Sequence, residues 1–330
     1  MSRYTVAVTD HAFDDLSVER QGLADIADVR ELPAERDRAL RDLATADAVI
    51  NRIRPFDEAM VAALPADCRV VARLGIGVDD IAVDAAAERG IPVVNVPDYC
   101  LEEVATHAMA MILALARRLK PYDAAMADGE WKTDRADPIG SRFSSGTVGV
   151  VGYGAIGRRV GEHAAALGAT VLAADPYLAP DDVDGTATLV DLDELYERAD
   201  FVTVHAPLTE ETRGLLDAAA FRSMKDTAHL VNVARGPIVD EAALVEALRR
   251  GEIAGAGLDV FEAEPPATDS PLRGHPDVIA TPHEAWYSEE ADAERRRSVV
   301  EAVRLALAGE RPPNVVNGVN GVDGTGGVDA

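Results

Sequence analysis

Residues 147–175, TVGVVGYGAIGRRVGEHAAALGATVLAAD, decide the fold. The apolar run Val148–Val151, bounded by Gly146 and Gly152, predicts a short buried strand. Gly152, Gly154 and Gly157 follow at a telling spacing. The first permits a tight turn, the second lets a pyrophosphate approach the backbone, and the third lets the next helix pack against the strand. That helix is expected over 155–167, stopped at Gly168 by a left-handed cap. Its first turn offers free N–H groups and partial positive charge to a phosphate. A strand over 170–174 then ends on Asp175, whose carboxylate can accept both adenosine ribose hydroxyls and repels the extra phosphate of NADP. Pro176, Tyr177 and Leu178 supply no cation for such a phosphate, so NAD is expected over NADP. Glycine triplets alone are weak; strand, triplet, capped helix, strand and terminal Asp in one βαβ unit specify a dinucleotide-binding domain.

The whole chain bounds what that domain belongs to. Its 330 residues suffice for two domains with cores of their own, and the 48% hydrophobic content is that of a globular protein. The apolar run AMAMILALA is broken by Arg117 and Arg118, and MSRYTVAVTD enters a strand pattern with no signal-peptide core. No membrane association is expected. Cys68 and Cys100 are too few for a disulfide framework and lie in no metal-ligand spacing, so a cytoplasmic location and no metal are expected. The formal net charge of −26 argues against nucleic acid as a partner.

Taken in order, strands at 4–9, 46–51, 70–74 and 92–96 alternate with helical stretches such as 33–43 and 83–89. Alternation of this kind implies a parallel sheet with right-handed crossovers. In ARLGIGVD, Gly75, Ile76 and Gly77 follow a strand, where exposed N–H groups can form an anion nest beside Arg73; a plain strand-to-helix turn is the competing reading. The stretch 101–119 is apolar nearly all round and predicts a buried helix leading from one domain to the next. His107 on it reads as a core or interface histidine. Residues 129–143 read as a loop. Later strands at 201–204, 228–233, 255–260 and 278–281 run into HAPLTEET, ARGPIVD, FEAEPP and PHEAW, and a helix over 288–309 precedes a Gly-rich tail expected to be disordered. Polar residues gather where open parallel sheets bind ligands, at strand C-termini.

Arg235, Glu264 and His283 follow three such strands. A guanidinium can hold a carboxylate bidentately and polarise a carbonyl, an imidazole can give and take a proton, and a carboxylate paired with that imidazole fixes its ring. Hydride reduction of a 2-oxo acid calls for this set.

These residues resemble the D-isomer-specific 2-hydroxyacid dehydrogenases. The resemblance covers about residues 5–310 and rests on VGYGAIGR with Asp175, VHAPLTEETRGL, VNVARGPIVDE, GLDVFEAEPP and TPHEAW. YCLEEVATHAMAMILALARR and TPHEAWYSEE are similar to the branch of the C-terminal-binding-protein corepressors and the phosphoglycerate-dehydrogenase-like members. The implied fold is α/β, two doubly wound parallel-sheet domains (Rossmann and flavodoxin-like) with a cleft between them. Residues 1–100 plus 285–310 would form the substrate domain, 101–284 the NAD-binding domain, and 311–330 the tail. The resemblance implies that Arg235 binds carboxylate and carbonyl, that His283 is the acid/base and that Glu264 is its partner. It puts Gly75, Ile76 and Gly77 on the substrate carboxylate, with Arg73 and Trp286 on the substrate side. It carries NAD contacts to Gly152, Tyr153, Gly154, Ala155, Ile156, Gly157, Asp175, His205, Ala206, Pro207, Thr212, Val233, Ala234 and Asp259. A homodimer through the nucleotide domain is implied, with a small 2-oxo or 2-hydroxy acid as substrate. Glu264 is an acid where formate-dehydrogenase-like relatives carry an amide, which disfavours that chemistry. An NAD(H)-sensing, corepressor-like binding protein with weak catalysis is the alternative from another class. No added basic cluster recommends a phosphorylated substrate, and no C-terminal regulatory domain is expected.

The acid excess, with Lys only at 120, 132 and 225, reads as a surface suited to high salt, where screening quenches self-repulsion. Urea denaturation at rising KCl checks this: the midpoint should climb from low to molar salt, and a flat dependence would remove the halophilic reading.

Overall fold

In the computed structural model, which describes residues 3–10, 15–131, 142–183 and 185–319, the chain divides into Met1–Tyr99 with Ser288–Ala330, and Cys100–Tyr287. Cys100, Ala285, Trp286 and Tyr287 fall in the second unit.

The first unit carries β1 (Tyr4–Val8), α1 (Ser17–Gly22), β2 (Ala27–Glu31), α2 (Arg36–Leu43), β3 (Ala48–Asn51), α3 (Glu58–Ala63), β4 (Val71–Arg73), α4 (Val83–Glu88) and β5 (Val93–Val94). Its strands pair in parallel in the order β2-β1-β3-β4-β5, the flavodoxin-like arrangement. One face is filled by residues such as Leu43, Val49, Phe56, Met60 and Val71, all buried. β2 is a strand that the sequence reading missed; its ADVRE is half polar because it forms an edge.

The second unit carries α5 (Leu101–Ala116), α6 (Leu119–Ala127), β6 (Thr147–Val151), α7 (Ala155–Ala166), β7 (Thr170–Ala174), β8 (Thr188–Leu189), α8 (Leu192–Arg198), β9 (Phe201–Val204), α9 (Ala218–Ser223), β10 (His229–Asn232), α10 (Glu241–Arg250), β11 (Gly255–Leu258) and β12 (Val278–Ala280). The strand order β12-β11-β10-β9-β6-β7-β8 is all parallel and doubly wound. Strand order reverses between β6 and β9, and a crevice at such a switch point is where these sheets take nucleotides. α5 buries Leu101, Val104, Ala108, Met111, Ile112 and Leu115, as its unbroken apolar pattern requires.

Two expectations are corrected. The helix expected over 101–119 stops at Ala116, because Arg118 takes a left-handed conformation (φ 53°) that starts α6 with Pro121 in its first turn. The tail is ordered at its start: Val315 bridges Val94 antiparallel, the Val316 N–H donates to Val93 O at 2.9 Å, and Asn317 exchanges bonds with Val93 and Ile91. The apolar pair Val315–Val316 completes the β5 edge, which outweighs the flanking glycines. Residues 320–330 of the tail and most of the expected 129–143 loop lie outside the described residues.

The long helix α11 (Glu289–Ala308) belongs to the first unit. Arg296 bonds Glu19 of α1 at 2.7 Å in a largely buried pair, and Arg295 lies against the Tyr99 ring. Among the described residues, no helix is long and apolar enough to cross a membrane. No group of three or more His, Cys, Asp or Glu among them is placed to hold a metal.

Burial holds two imidazoles of the second unit uncharged. His205, whose ring shares a 2.9 Å hydrogen bond with Thr203, is pushed down to about 3 by burial, and His229, stacked on Phe201, to about 4 by burial and the nearby Arg118. The unfolded chain takes up protons on these rings near the ordinary 6.5, whereas the native state refuses them until pH falls to about 4 and 3. Stability is therefore complete above 6.5 and falls as pH drops below it, by up to about 1.4 kcal/mol per pH unit for each ring. Urea midpoints between pH 7 and about 4 measure this slope, and His229→Gln should reduce it by one proton's worth.

Candidate active site

The fingerprint turn takes its shape from close backbone approaches. Gly152 has φ +85°, and a Cβ there would lie 2.6 Å from the Ala206 nitrogen at the end of β9. A Cβ on Gly157 would lie 2.2 Å from the Gly152 oxygen. Packing therefore accounts for both. Gly154 differs: a Cβ on it would meet nothing within 4 Å, so no protein atom explains the glycine. Open space above a helix start is what a pyrophosphate needs. No side chain caps α7, and among the described residues the N–H groups of Ala155 and Ile156 have no protein acceptor. Asp175 completes the cradle, its carboxylate oxygens accepting the N–H of Tyr153 at 2.9 Å and of Tyr177 at 3.0 Å. Those bonds aim the carboxylate while leaving each oxygen a further lone pair. The residues fit a dinucleotide.

The other expected cofactor residues sit at neighbouring strand ends. His205 and Ala206 follow β9, and the His205 N–H is held by Val151 O at 2.8 Å. Thr212 folds the following loop back, its hydroxyl donating to Pro207 O at 2.7 Å. After β10, Val233 is buried and the Ala234 N–H donates to Asn232 Oδ1 at 3.0 Å. Asp259, after β11, is 1% exposed. Both its oxygens are engaged by protein donors of the 281–285 turn.

The two residues expected to form an acid–base pair meet. His283 Nδ1 lies 2.7 Å from Glu264 Oε2, and Glu264 Oε1 accepts the Phe261 N–H at 3.0 Å. Burial pushes the Glu264 carboxyl up, but the His283 hydrogen bond and charge, the Phe261 N–H and the Arg235 charge outweigh it and hold it below the ordinary value. Arg235 thus acts on the same carboxylate. Sequence reasoning missed how the two loops are locked: a Cβ on Gly236 would lie 1.9 Å from the Phe261 carbonyl. Only glycine lets the Arg235 loop pass so close to the loop that carries Glu264. His283 itself is a non-glycine residue at φ 59°, a conformation that functional turns hold against its cost. The Trp286 indole donates to His283 O at 3.1 Å.

Arg73, Gly75, Ile76 and Gly77 lie in the first unit. Arg73 is engaged by Gly77 O at 2.9 Å, Asn51 Oδ1 at 3.3 Å and Asp80 at 3.1 Å. The carbonyls of Gly75 and Ile76 accept from Val96 N and Asn95 Nδ2. Among the described residues none of the three N–H groups at 75–77 has a protein acceptor, which is the state an anion nest requires.

A sequence model described as the NAD binding domain of D-isomer specific 2-hydroxyacid dehydrogenase matches residues 109–285. The D-3-phosphoglycerate dehydrogenase of Mycobacterium tuberculosis is 43% identical over 297 residues, 89% of this chain. This chain spans only 56% of that relative's length. The glyoxylate reductase of Korarchaeum cryptofilum is 37% identical over 311 residues, 91% of this chain and 93% of that protein. Among solved structures, the D-lactate dehydrogenase from Aquifex aeolicus complexed with NAD and lactic acid superposes with a TM-score of 0.86 at 29% identity, covering 95% of this chain and 99% of that one.

Proposed function

The chain belongs to the D-isomer-specific 2-hydroxyacid dehydrogenases, its second unit being their NAD-binding domain, and on that footing we propose that it interconverts a small D-2-hydroxy acid and its 2-oxo acid. The observation that carries the reading is the 2.7 Å His283–Glu264 bond, with the Arg235 charge on the same carboxylate. Bound NAD supplies or accepts the hydride. Glu264 occupies His283 Nδ1, so Nε2 is the atom that gives a proton to the substrate oxygen in reduction and takes it back in oxidation. Arg235 is the bidentate partner of the substrate carboxylate and polarises the carbonyl. Arg73 and the N–H groups of Gly75, Ile76 and Gly77 in the first unit are assigned to carboxylate binding, and Trp286 to an apolar wall. Contacts to NAD are assigned to Gly152–Gly157, Asp175, His205–Pro207, Thr212, Val233, Ala234 and Asp259.

The glyoxylate reductase matched over nearly its whole length favours an unphosphorylated 2-oxo acid. An intact Arg, Glu and His set favours turnover over an NAD(H) sensor. The buried free thiols, with Cys68 pushed up to about 12 by burial, suit a reducing cytoplasm. A homodimer is proposed through α6, which buries none of its own residues and exposes Leu119, Tyr122 and Met126, with Trp131 beyond them.

Steady-state assays with NADH and a panel of 2-oxo acids in molar salt test the reading. Turnover is expected, and its absence with every acid would overturn it. His283→Gln should lower kcat by about a hundred- to ten-thousandfold, and Arg235→Ala should damage both KM and kcat. Because Glu264 stays ionised below the usual carboxylate range, the acid limb of both directions should fall where that carboxyl protonates. Glu264→Gln should abolish that limb's dependence on it. Sedimentation analysis of Met126→Glu should give a monomer where the unmodified chain gives a dimer.

A further inference from the structure

We propose that His107 is a positioning residue for the acid–base histidine, acting through Thr281 and Asp259; the inference rests on the dehydrogenase reading for the role of His283. His107 lies on α5. Its Nε2 is 3.1 Å from Thr281 Oγ1, and Thr281 Oγ1 donates to Asp259 Oδ1 at 2.5 Å. The hydroxyl proton is thereby spent on Asp259, so the proton between His107 and Thr281 belongs to His107 Nε2. The relay has one direction: imidazole N–H to hydroxyl, hydroxyl to carboxylate.

Asp259 is the hub that the relay reaches. Besides Thr281, its Oδ1 accepts the Glu284 N–H at 2.9 Å and its Oδ2 the Ala285 N–H at 2.9 Å. Its backbone carbonyl accepts the His283 N–H at 2.8 Å. One residue thus grips the chain at His283 and at the two residues after it, where the backbone takes its left-handed turn. His107 Nε2 lies 3.8 Å from Asp259 Oδ1. A buried carboxylate is held by its hydrogen bonds, and removing one donor leaves it short. A packing histidine would need none of this geometry. The aligned bonds, ending on the turn that carries His283, are what distinguish a positioning role.

The test uses the full chain with Trp131→Phe, which leaves Trp286 as its single tryptophan. Because the Trp286 indole bonds His283 O, its emission in the ligand-free protein reports the turn. His107→Phe removes the donor; His107→Gln keeps an N–H that can reach Thr281. We expect H107F to shift Trp286 emission and to lower kcat for glyoxylate with NADH by about 10- to 100-fold, the range that a small misplacement of a reacting group produces. KM for glyoxylate should change little, and H107Q should restore most of both signals. Wild-type kcat and emission in H107F, or H107Q no better than H107F, would overturn the proposal. Thr281→Val, nearly isosteric, cuts the same relay and must reproduce the H107F result, and it decides the question if H107F does not fold. Should the unmodified chain turn over no 2-oxo acid, the dehydrogenase reading fails, and the emission comparison still decides the relay.

Discussion

The backbone of Gly152 and that of Ala206 pass so close that even a methyl group between them would lie 2.6 Å from the Ala206 nitrogen. That approach joins the ends of β6 and β9, where the strand order of the second sheet reverses. The remaining architecture follows from it. With β6 and β9 held together, the first turn of α7 starts uncapped above an open space, and Asp175 at the end of β7 faces that space. The crevice is therefore a property of backbone packing, not of side chains reaching across a gap.

The chemistry at its edge obeys the same logic. Arg235, Glu264 and His283 come from loops after β10, β11 and β12, distant along the chain and adjacent along the sheet. Parallel neighbours present their C-terminal ends side by side, so residues far apart in sequence become neighbours. Gly236 then removes the remaining slack between the first two loops, and Asp259 fixes the third. Side chains with two or three rotatable bonds would be poor acid–base groups if their loops were free; fixed loops restrict them to few orientations.

Much of this was legible in the sequence, for reasons that differ by element. The strand at 170–174 was readable to the residue because an apolar run between Gly168 and Asp175 bounds it. That Arg235, Glu264 and His283 stand in loops after successive parallel strands was readable, because an apolar run precedes each loop. β8 was not, since two residues carry no periodicity, and neither was β2, an edge strand with little apolar content. The break at Arg118 left one signal, Pro121, which belongs in a first helical turn and not in the middle of a helix. Gly236 looked like any loop glycine, because a sequence does not state what passes 1.9 Å from a missing methyl. His107 looked like packing for a similar reason, its hydroxyl and carboxylate partners lying over 150 positions away.

The segment around Val315 has a meaning for solubility. A parallel sheet ending on a strand as short as β5 offers unpaired amides to any extended peptide that drifts past. Val315 and Val316 occupy that side with the chain's own backbone, while the opposite rim, β2, carries Asp28, Arg30 and Glu31. One rim is covered and the other is charged, so neither invites a foreign strand, even at salt concentrations where hydrophobic association is strengthened.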